Sequence, residues 1–227
     1  MSRIGFRMLS DIDRPSPELI ARFANYRSSD LSDAMNRAQT MSGIKTIYEP
    51  VPRVVGPAVT VNSIVPSINV GRIGLDRCRP GDVLVIACPA AVAHAVWGGS
   101  LAYGTKSRGV AGLIIDGAVR DVSEIRDIGL PTFARHIVTM AAPIFTPQGE
   151  VNVPIACGGV VVFPGDIIIA DDDGIVVVPP AYAEQVIEAT DAVNAKAASV
   201  QEILGRGEVT NLAGIRSQYR DEGFENA

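Results

Sequence analysis

The stretch GVAGLIIDGAVRD, residues 109–121, decides how this 227-residue chain is expected to fold. Its residues 112–115 form a short, wholly apolar run, which is typical of a strand buried on both faces of a sheet. We expect this strand to end in a glycine turn that presents Arg120 and Asp121. Because open α/β sheets bind ligands outside the carboxyl ends of their strands, this turn is the first candidate site.

Helical and strand-like segments alternate on both sides of this stretch. Ser16 and Pro17 have the character of an N-cap and a first helical residue, so they predict a helix near the N-terminus. The other segments expected before residue 109 are a helix at 31–38, a strand at 58–65, a helix at 67–78, a strand at 83–87 and a helix at about 93–108. The segments expected after residue 121 are strands at 132–134, 151–155, 159–163, 167–170 and 175–178, then a helix at 181–204. The last four strands are too closely spaced for crossover helices, which predicts antiparallel or mixed pairing.

These segments predict a single α/β domain over residues 1–227, with a core at about 28–180 and a polar tail at 205–227. The 22 glycines and 15 prolines stand as turns between short apolar runs, and no linker divides the chain. Neither a G-x-G-x-x-G nor a G-x-x-x-x-G-K-[ST] motif follows a strand. Dinucleotide-binding and P-loop functions therefore have no support.

Composition excludes several classes of partner. The net charge is -5 and the chain has no run of Lys or Arg, so neither nucleic acid nor an anionic membrane is expected as a partner. The longest apolar runs are of strand length, far below the roughly 20 residues that span a bilayer. Because the N-terminus lacks a signal-peptide pattern, we expect a cytoplasmic protein. The three cysteines (Cys78, Cys88 and Cys157) predict small buried side chains rather than a disulfide framework or a zinc site.

Arg120 and Asp121 are the residues best suited to chemistry. A guanidinium presents a fixed fork that matches a carboxylate, and an aspartate supplies a hard oxygen ligand for Mg²⁺. The alternative is structural: Asp116 caps a turn, and Arg120 forms a surface ion pair.

A second candidate is the segment at 95–101, which contains Gly98 and Gly99 near the start of a helix. Consecutive glycines expose backbone N–H groups, and a helix N-terminus favours an anion. The amides of Gly99, Ser100 and Leu101 could therefore hold a carboxylate. The alternative is that the glycines only permit close packing of a helix on the sheet.

Other polar residues favour structural roles. The run Asp171-Asp172-Asp173-Gly174 begins like a calcium loop, but Tyr182 stands where the twelfth-position acid belongs, so a charged turn is expected. His94 and His136 have no spacing that indicates a catalytic triad. Asp33 is expected as a polar position on a helix.

Three motifs together resemble a known family. They are Ala95-Val96-Trp97-Gly98-Gly99, Ser107-Arg108-Gly109-Val110-Ala111-Gly112 and Asp116-Gly117-Ala118-Val119-Arg120-Asp121. Over about residues 28–180 the chain resembles the 4-hydroxy-4-methyl-2-oxoglutarate aldolase family. These class II pyruvate aldolases share a fold with the regulators of ribonuclease E activity. The resemblance implies an α/β/β sandwich of the swivelling-domain type, assembled as a homotrimer or homohexamer with active sites at subunit clefts.

The resemblance also implies roles for the site residues. Arg120 would bind a small 2-keto acid and stabilise its enolate oxygen, and Asp121 would hold Mg²⁺ or Mn²⁺. The backbone around Gly98, Gly99, Ser100 and Leu101 would bind the pyruvyl carboxylate. The implied reaction is C–C cleavage that gives pyruvate, by aldol cleavage or by decarboxylation of oxaloacetate.

Gly99 departs from the family's pattern, which has an acidic residue at this position. A neighbouring subunit also supplies a C-terminal acid in the family, for which Glu202 is a candidate here. Two alternatives stay open: a non-catalytic binding protein of the ribonuclease-regulator type, and a lyase or hydratase for another sugar-acid-derived keto acid. Asp121 favours the enzyme over the binding protein, because the regulators replace the acid after the arginine.

Overall fold

The computed structural model describes residues 3–143 and 148–223. In chain order its strands are β1 (Lys45–Thr46), β2 (Val54–Ser63), β3 (Val83–Ala87), β4 (Ala95–Trp97), β5 (Gly112–Val119), β6 (Thr132–Ile137), β7 (Gly149–Val151), β8 (Ile155–Cys157), β9 (Val160–Val162), β10 (Ile167–Ala170) and β11 (Ile175–Val178). Its helices are α1 (Pro17–Phe23), α2 (Ser28–Ala34), α3 (Ile68–Arg77), α4 (Gly99–Ser107), α5 (Val122–Ile128), α6 (Ala183–Gly205) and α7 (Leu212–Asp221). A 3₁₀ turn at Pro180–Tyr182 precedes α6.

The main sheet is mixed and has the order β1-β6-β5-β3-β2-β10-β11. Its centre is parallel, since β2 pairs with β3, β3 with β5 and β5 with β6 in that sense. β10 pairs antiparallel with both β2 and β11, and β8 with β9 form a separate antiparallel pair. The predicted α/β class, an α/β/β sandwich with mixed sheets, is confirmed.

Two apolar clusters pack against this sheet, and β10 contributes to both. Ile168 and Ala170 belong to the larger central cluster, whereas Ile167 and Ile169 pack with α1, α2 and α6. Successive strand residues point to opposite faces, so a four-residue aliphatic strand can serve two cores. All eight residues of β5 are buried as well, but its large apolar side chains all belong to the central cluster.

The predicted glycine turn after residue 115 was wrong, because β5 continues to Val119. Both sides of its carboxyl end are paired: β4 lies beside Ala118 and Val119 on one side, and β6 lies on the other. Gly117 falls where the pairing with β6 shifts register, so it marks an irregularity within the strand rather than a turn. A Cβ at Gly117 would lie 2.9 Å from the carbonyl oxygen of Cys88, which explains the glycine.

Other boundaries also differ from the expectation. The helix expected from about residue 93 begins at Gly99, because Ala95–Trp97 pair with the end of β5 as β4. The helix expected at 31–38 ends at Ala34, and Asn36 and Arg37 have positive φ angles that a helix does not permit. The strand expected at 151–155 divides between β7 and β8.

Several local predictions are confirmed. The side chain of Ser16 accepts a hydrogen bond from the amide of Leu19 and caps α1, whose first residue is Pro17. β3, β10 and β11 have the expected bounds. The long C-terminal helix is present as α6, and the segment expected as a polar tail contains α7, whose residues are exposed. In the described ranges no helix has the length and apolar content that a membrane span requires.

Candidate active site

A cavity of about 180 Å³ opens where β5 ends. It is bounded by the end of β4, the start of α4, one face of α3 and the two residues that follow β5. The residues that line it are Ile68, Arg72, Ala95, Val96, Trp97, Gly98, Ser100, Leu101, Arg120, Asp121 and Ala141. Five of the six predicted site residues are therefore at one cavity, and the sixth, Gly99, lies between two of them in the chain.

The pairing of β4 with β5 creates this arrangement. The amide of Arg120 donates a hydrogen bond of 3.0 Å to the carbonyl oxygen of Trp97, which fixes the chain after β5 beside the chain after β4. Residues 95–97 were expected in a helix, so sequence reasoning identified both segments but missed the strand that joins them. Two segments that are more than 20 residues apart thus face each other across the cavity.

Asp121 occupies a specialised position between β5 and α5. Its φ of 61° and ψ of 42° are left-handed, a conformation that aspartate tolerates better than most residues. Oδ2 accepts a hydrogen bond of 3.0 Å from the amide of Gly99 and lies 3.4 Å from Nε of Arg120. Within residues 3–143 and 148–223, Oδ1 has no hydrogen-bond donor. With 37% of its side chain exposed, Asp121 can offer this oxygen to a ligand.

The two glycines are needed for this close approach. A Cβ at Gly98 would lie 2.6 Å from Oδ2 of Asp121 and 3.0 Å from Cγ of Arg120. A Cβ at Gly99 would overlap the carboxyl group of Glu124, which lies in the first turn of α5. The two glycines therefore permit close packing, as the alternative interpretation expected, but against Arg120, Asp121 and Glu124 rather than against the sheet.

Glu124 was not singled out from the sequence. It follows Asp121 by three residues, a spacing that places two side chains on the same face of a helix. That spacing was the available signal, but only the packing of α4 against α5 shows that the carboxyl group lies against Gly99. A carboxyl group from α5 therefore occupies the space that a side chain at residue 99 would take.

The first turn of α4 presents backbone donors to the cavity. Gly98 is the N-cap and provides no side-chain hydrogen bond, and the carbonyl oxygen of Gly98 accepts from the amide of Ala102. The amide of Gly99 is bound to Asp121, whereas those of Ser100 and Leu101 have no acceptor among the described residues. Unpaired amides at a helix N-terminus are suited to a carboxylate.

Trp97 belongs to the second candidate segment and completes the walls together with Ile68 and Arg72, which were not singled out from the sequence. Ile68 and Arg72 are one helical turn apart on α3 and so share a face. A Cβ at Gly71 would lie 2.7 Å from Cζ3 of Trp97, so the glycine allows α3 to approach β4 closely. The indole Nε1 of Trp97 is buried and has no partner among the described residues.

Asp116, which the alternative interpretation made a turn cap, has a different role. It is 6% exposed, and its two oxygens accept hydrogen bonds from Nε of Arg135, at 2.6 Å, and from the amide of Gly158, at 2.8 Å. Asp116 does not line the cavity. The hydrogen bond to Asp116 raises the pKa of Arg135 above its ordinary value.

The weaker candidates lie elsewhere. Asp171 and Asp172 lie in the turn between β10 and β11, as expected for a charged turn. Their side-chain oxygens accept hydrogen bonds from the amides of Ser28 and Val51, respectively. All three cysteines are buried and free, and burial raises the pKa of Cys78 to about 12. The remaining candidates do not line the cavity: Asp33, His94, His136 and Glu202. Glu202 is exposed on α6 and lies 3.3 Å from Arg206.

The donor set at the cavity fits a magnesium-type ion in one respect. The described residues contain no cluster of three or more His, Cys, Asp or Glu side chains that could enclose a metal. Mg²⁺, however, is commonly bound by one or two carboxylates and completes its shell with water and substrate oxygens. The open Oδ1 of Asp121 is such a ligand, so the residues present fit an ion that is shared with the substrate.

Comparison with known proteins gives this site a context. Residues 28–177 match the family described as RraA-like, Aldolase/RraA. A protein of Halalkalibacterium halodurans, provisionally named as a 4-hydroxy-4-methyl-2-oxoglutarate aldolase, is 35% identical over 75% of this chain and 81% of its own. The 4-hydroxy-4-methyl-2-oxoglutarate aldolase of Thermus thermophilus is 29% identical over 67% of this chain and 92% of its own.

A solved structure extends the comparison to the fold. Streptomyces coelicolor RraAS2, described as an unusual member of the RNase ES inhibitor RraA protein family, superimposes with a TM-score of 0.72 at 29% identity. The match covers 82% of this chain and 98% of that one. The relatives thus include proteins named as aldolases and a protein named for ribonuclease inhibition.

Proposed function

The chain belongs to the RraA-like family, and from this premise we propose that it is a divalent-metal-dependent lyase that cleaves a C–C bond of a small 2-keto acid to give pyruvate. The proposed reactions are aldol cleavage of a 4-hydroxy-4-methyl-2-oxoglutarate-type substrate and decarboxylation of oxaloacetate. One observation carries the proposal. Arg120, the open oxygen of Asp121 and the unpaired amides of α4 converge on one small cavity.

The residues of the cavity can divide the work of such a reaction. The amides of Ser100 and Leu101 bind the carboxylate next to the keto group, where the helix N-terminus favours negative charge. Arg120 then places its guanidinium at the keto oxygen. When the C3–C4 bond breaks, its electron pair moves towards that oxygen, and a fixed cation at this point lowers the barrier.

Asp121 would hold the metal, and it also orders the site. A divalent ion bound through Oδ1 would add positive charge at the keto oxygen. Through Oδ2 the carboxylate accepts a hydrogen bond from the amide of Gly99 and lies near Nε of Arg120. It therefore holds the start of α4 and the guanidinium in fixed positions relative to each other. Aldol cleavage also requires loss of the C4 hydroxyl proton, whereas decarboxylation of oxaloacetate does not.

Two other functions compete with this proposal. The ribonuclease-regulator type is a binding protein, and RraAS2, described as a member of the RNase ES inhibitor family, is a structural neighbour of this chain. The presence of Asp121 argues against it, because a binding role needs no metal ligand in the cavity. A lyase or hydratase that acts on another sugar-acid-derived keto acid is the third function, and Gly99 is the residue that favours it.

The experiment is a substrate panel assayed for pyruvate with a coupled dehydrogenase. Purified protein with Mg²⁺ or Mn²⁺ should release pyruvate from oxaloacetate or from a 4-hydroxy-2-keto acid, and EDTA should abolish the release. The matched control is Arg108→Ala, which removes an exposed arginine outside the cavity and should leave the rate unchanged. No pyruvate from any member of the panel would reject the proposed function.

We further propose a homotrimeric or homohexameric assembly and a cytoplasmic location. Exposed apolar side chains on α6, α7 and the segment between them support self-association, since such surfaces usually mark contacts. They are Leu204, Val209, Leu212, Ile215 and Tyr219. Light scattering should give three or six times the 23.9 kDa of one chain, and a monomer at micromolar concentration would contradict the assembly.

A further inference from the structure

We propose that Arg72 is a specificity-determining residue that binds a second carboxylate of the substrate. The inference deepens the proposed function and rests on it. The substrates of the proposed function carry two carboxylates, and the inference names the residue that would bind the second one and so favour them over 2-keto acids with one carboxylate.

Arg72 reaches the cavity from a wall that is separate from that of Arg120. It belongs to α3, and Ile68, one turn earlier on the same face, lines the cavity with it. The position of the helix is fixed by close contacts. A Cβ at Gly71 would lie 2.7 Å from the Trp97 ring, and one at Gly74 would overlap the side chain of Val61. The backbone that carries Arg72 is therefore held firmly, although its side chain is exposed.

Arg72 has no hydrogen bond and no ion pair with any residue in the described ranges. Its neighbours on the surface differ, since Arg77 lies 3.7 Å and Arg108 lies 3.1 Å from the carboxylate of Asp76. An arginine at the mouth of a cavity, with its five N–H donors free, is ready to bind a ligand. The planar fork of a guanidinium matches a carboxylate in two parallel hydrogen bonds.

The charge of the cavity favours a dianion. Among the lining residues the cations are Arg72 and Arg120, and the sole carboxylate is Asp121. Asp121 lies beside Arg120, so the positive charge of Arg72 has no counter-ion among the lining residues. A bound metal ion would add further positive charge. A substrate with one carboxylate would engage the amides of α4 and leave Arg72 without a counter-ion. A second carboxylate on the same small molecule would supply that counter-ion.

The test compares substrates in the variants Arg72→Ala and Arg72→Lys. For oxaloacetate or 4-hydroxy-4-methyl-2-oxoglutarate, Arg72→Ala should lower kcat/KM by about 10- to 100-fold, which corresponds to loss of a hydrogen-bonded charge pair, and the loss should appear mainly in KM. For a 4-hydroxy-2-keto acid with one carboxylate, kcat/KM should change less than about twofold. Arg72→Lys should retain part of the dicarboxylate preference, because it keeps the charge but not the fork.

A binding measurement separates this inference from the proposed function. Calorimetry with 2-oxoglutarate and with 2-oxobutyrate needs no turnover, so it is informative even if the protein releases no pyruvate. We expect 2-oxoglutarate to bind more tightly than 2-oxobutyrate, and Arg72→Ala to remove that difference while Arg108→Ala preserves it. If Arg72→Ala weakened both ligands equally, or neither, the role of Arg72 as a second carboxylate site would be rejected.

Discussion

The segment that contains β5 carries two aspartates, each paired with an arginine, and the two pairs contrast sharply. Asp116 is 6% exposed, and Arg135 and the amide of Gly158 occupy both of its oxygens. Asp121, five residues later, has a side chain that is 37% exposed, and its Oδ1 has no donor within the described residues. The residue types are the same, but only the second pair has capacity left for a ligand.

The difference follows from the position of each pair along the strand. Asp116 lies where β5 has β3 on one side and β6 on the other, so its side chain is enclosed, and a buried carboxylate must be satisfied by the protein itself. Asp121 lies beyond the last paired residue of β5, and its side chain borders the cavity instead of a neighbouring strand. We therefore expect Asp116 to stabilise the fold and Asp121 to serve the proposed reaction.

The largest expected effect is on activity, from Asp121→Asn. The change removes a negative oxygen ligand and weakens the alignment of Arg120 with the start of α4. We expect kcat to fall by about 10²- to 10³-fold, the usual loss when one electrostatic group of a preorganised site is removed. The melting temperature should stay close to that of the wild type, because the side chain is exposed. Steady-state kinetics and calorimetry on the same preparation test both parts.

The control for this prediction is Asp127→Asn, which changes an exposed aspartate of α5 that does not line the cavity. It should keep full activity. Wild-type rates in Asp121→Asn, measured with saturating metal, would contradict the role assigned to Asp121. They would also remove the functional half of the contrast between the two pairs.

The next effect is on stability, from Asp116→Ala. The change leaves Arg135 without its carboxylate and the amide of Gly158 without an acceptor. Loss of one partner of a fully buried ion pair costs about 3–5 kcal/mol, and we expect about 2–3 kcal/mol here because a third of the Arg135 side chain reaches solvent. Urea denaturation measures the free energy of unfolding. A loss in Asp121→Asn as large as that in Asp116→Ala would show that the two pairs do not differ in this way.

Much of the fold could be predicted because its signals are local. The aliphatic runs of β3, β10 and β11 coincide with the predicted strands. The sequence Pro-Gly-Asp occurs at residues 80–82 and again at 164–166, and the two copies form matching turns. In each, the aspartate (Asp82 or Asp166) accepts a hydrogen bond from the amide three residues earlier. Such turns depend on residue types that are close together in the chain.

The features that were missed depend on contacts between distant segments. β4 has only three residues and exists because the end of β5 pairs with it, which no periodicity indicates. Arg72 becomes a cavity residue only because Gly71 lets α3 approach Trp97. The sequence therefore singled out Arg120 and Asp121, which lie at one cavity, but it did not indicate that Ile68 and Arg72 form a wall of that cavity.

A smaller effect is expected from Gly99→Ala, which tests whether Glu124 influences the site formed by Arg120 and Asp121. A Cβ at this position would overlap the Glu124 carboxyl group, which must then move away. Because that group is the end of a flexible side chain, the cost in stability should be below about 1 kcal/mol. We expect kcat to change by a few fold, and Glu124→Ala to have little further effect once Gly99→Ala is present.

The outcome depends on this non-additivity. Two residues in contact should give a double variant whose effect is smaller than the combined effects of the single variants. Strict additivity in both kcat and the free energy of unfolding would show that Glu124 acts independently of Gly99. Glu124 would then not belong to the site, and Asp121 would be the one carboxylate there to compare with Asp116.

The smallest effect concerns a third ion pair, Arg7 and Glu150, whose exposure to solvent is intermediate between those of the other two pairs. Glu150 has only 7% of its side chain exposed, but Arg7 has 37%, and their hydrogen bond holds the pKa of Glu150 below its ordinary 4.5. A carboxyl group whose pKa is lower in the folded than in the unfolded state stabilises the protein above the unfolded value. That contribution is lost as the pH falls through the folded pKa. Glu150→Gln should therefore lower the melting temperature by a few degrees at pH 7 and show a smaller further decrease than the wild type between pH 5 and pH 3. Parallel melting curves for the two proteins over this range would contradict the assignment and would place Arg7–Glu150 with surface pairs that contribute little.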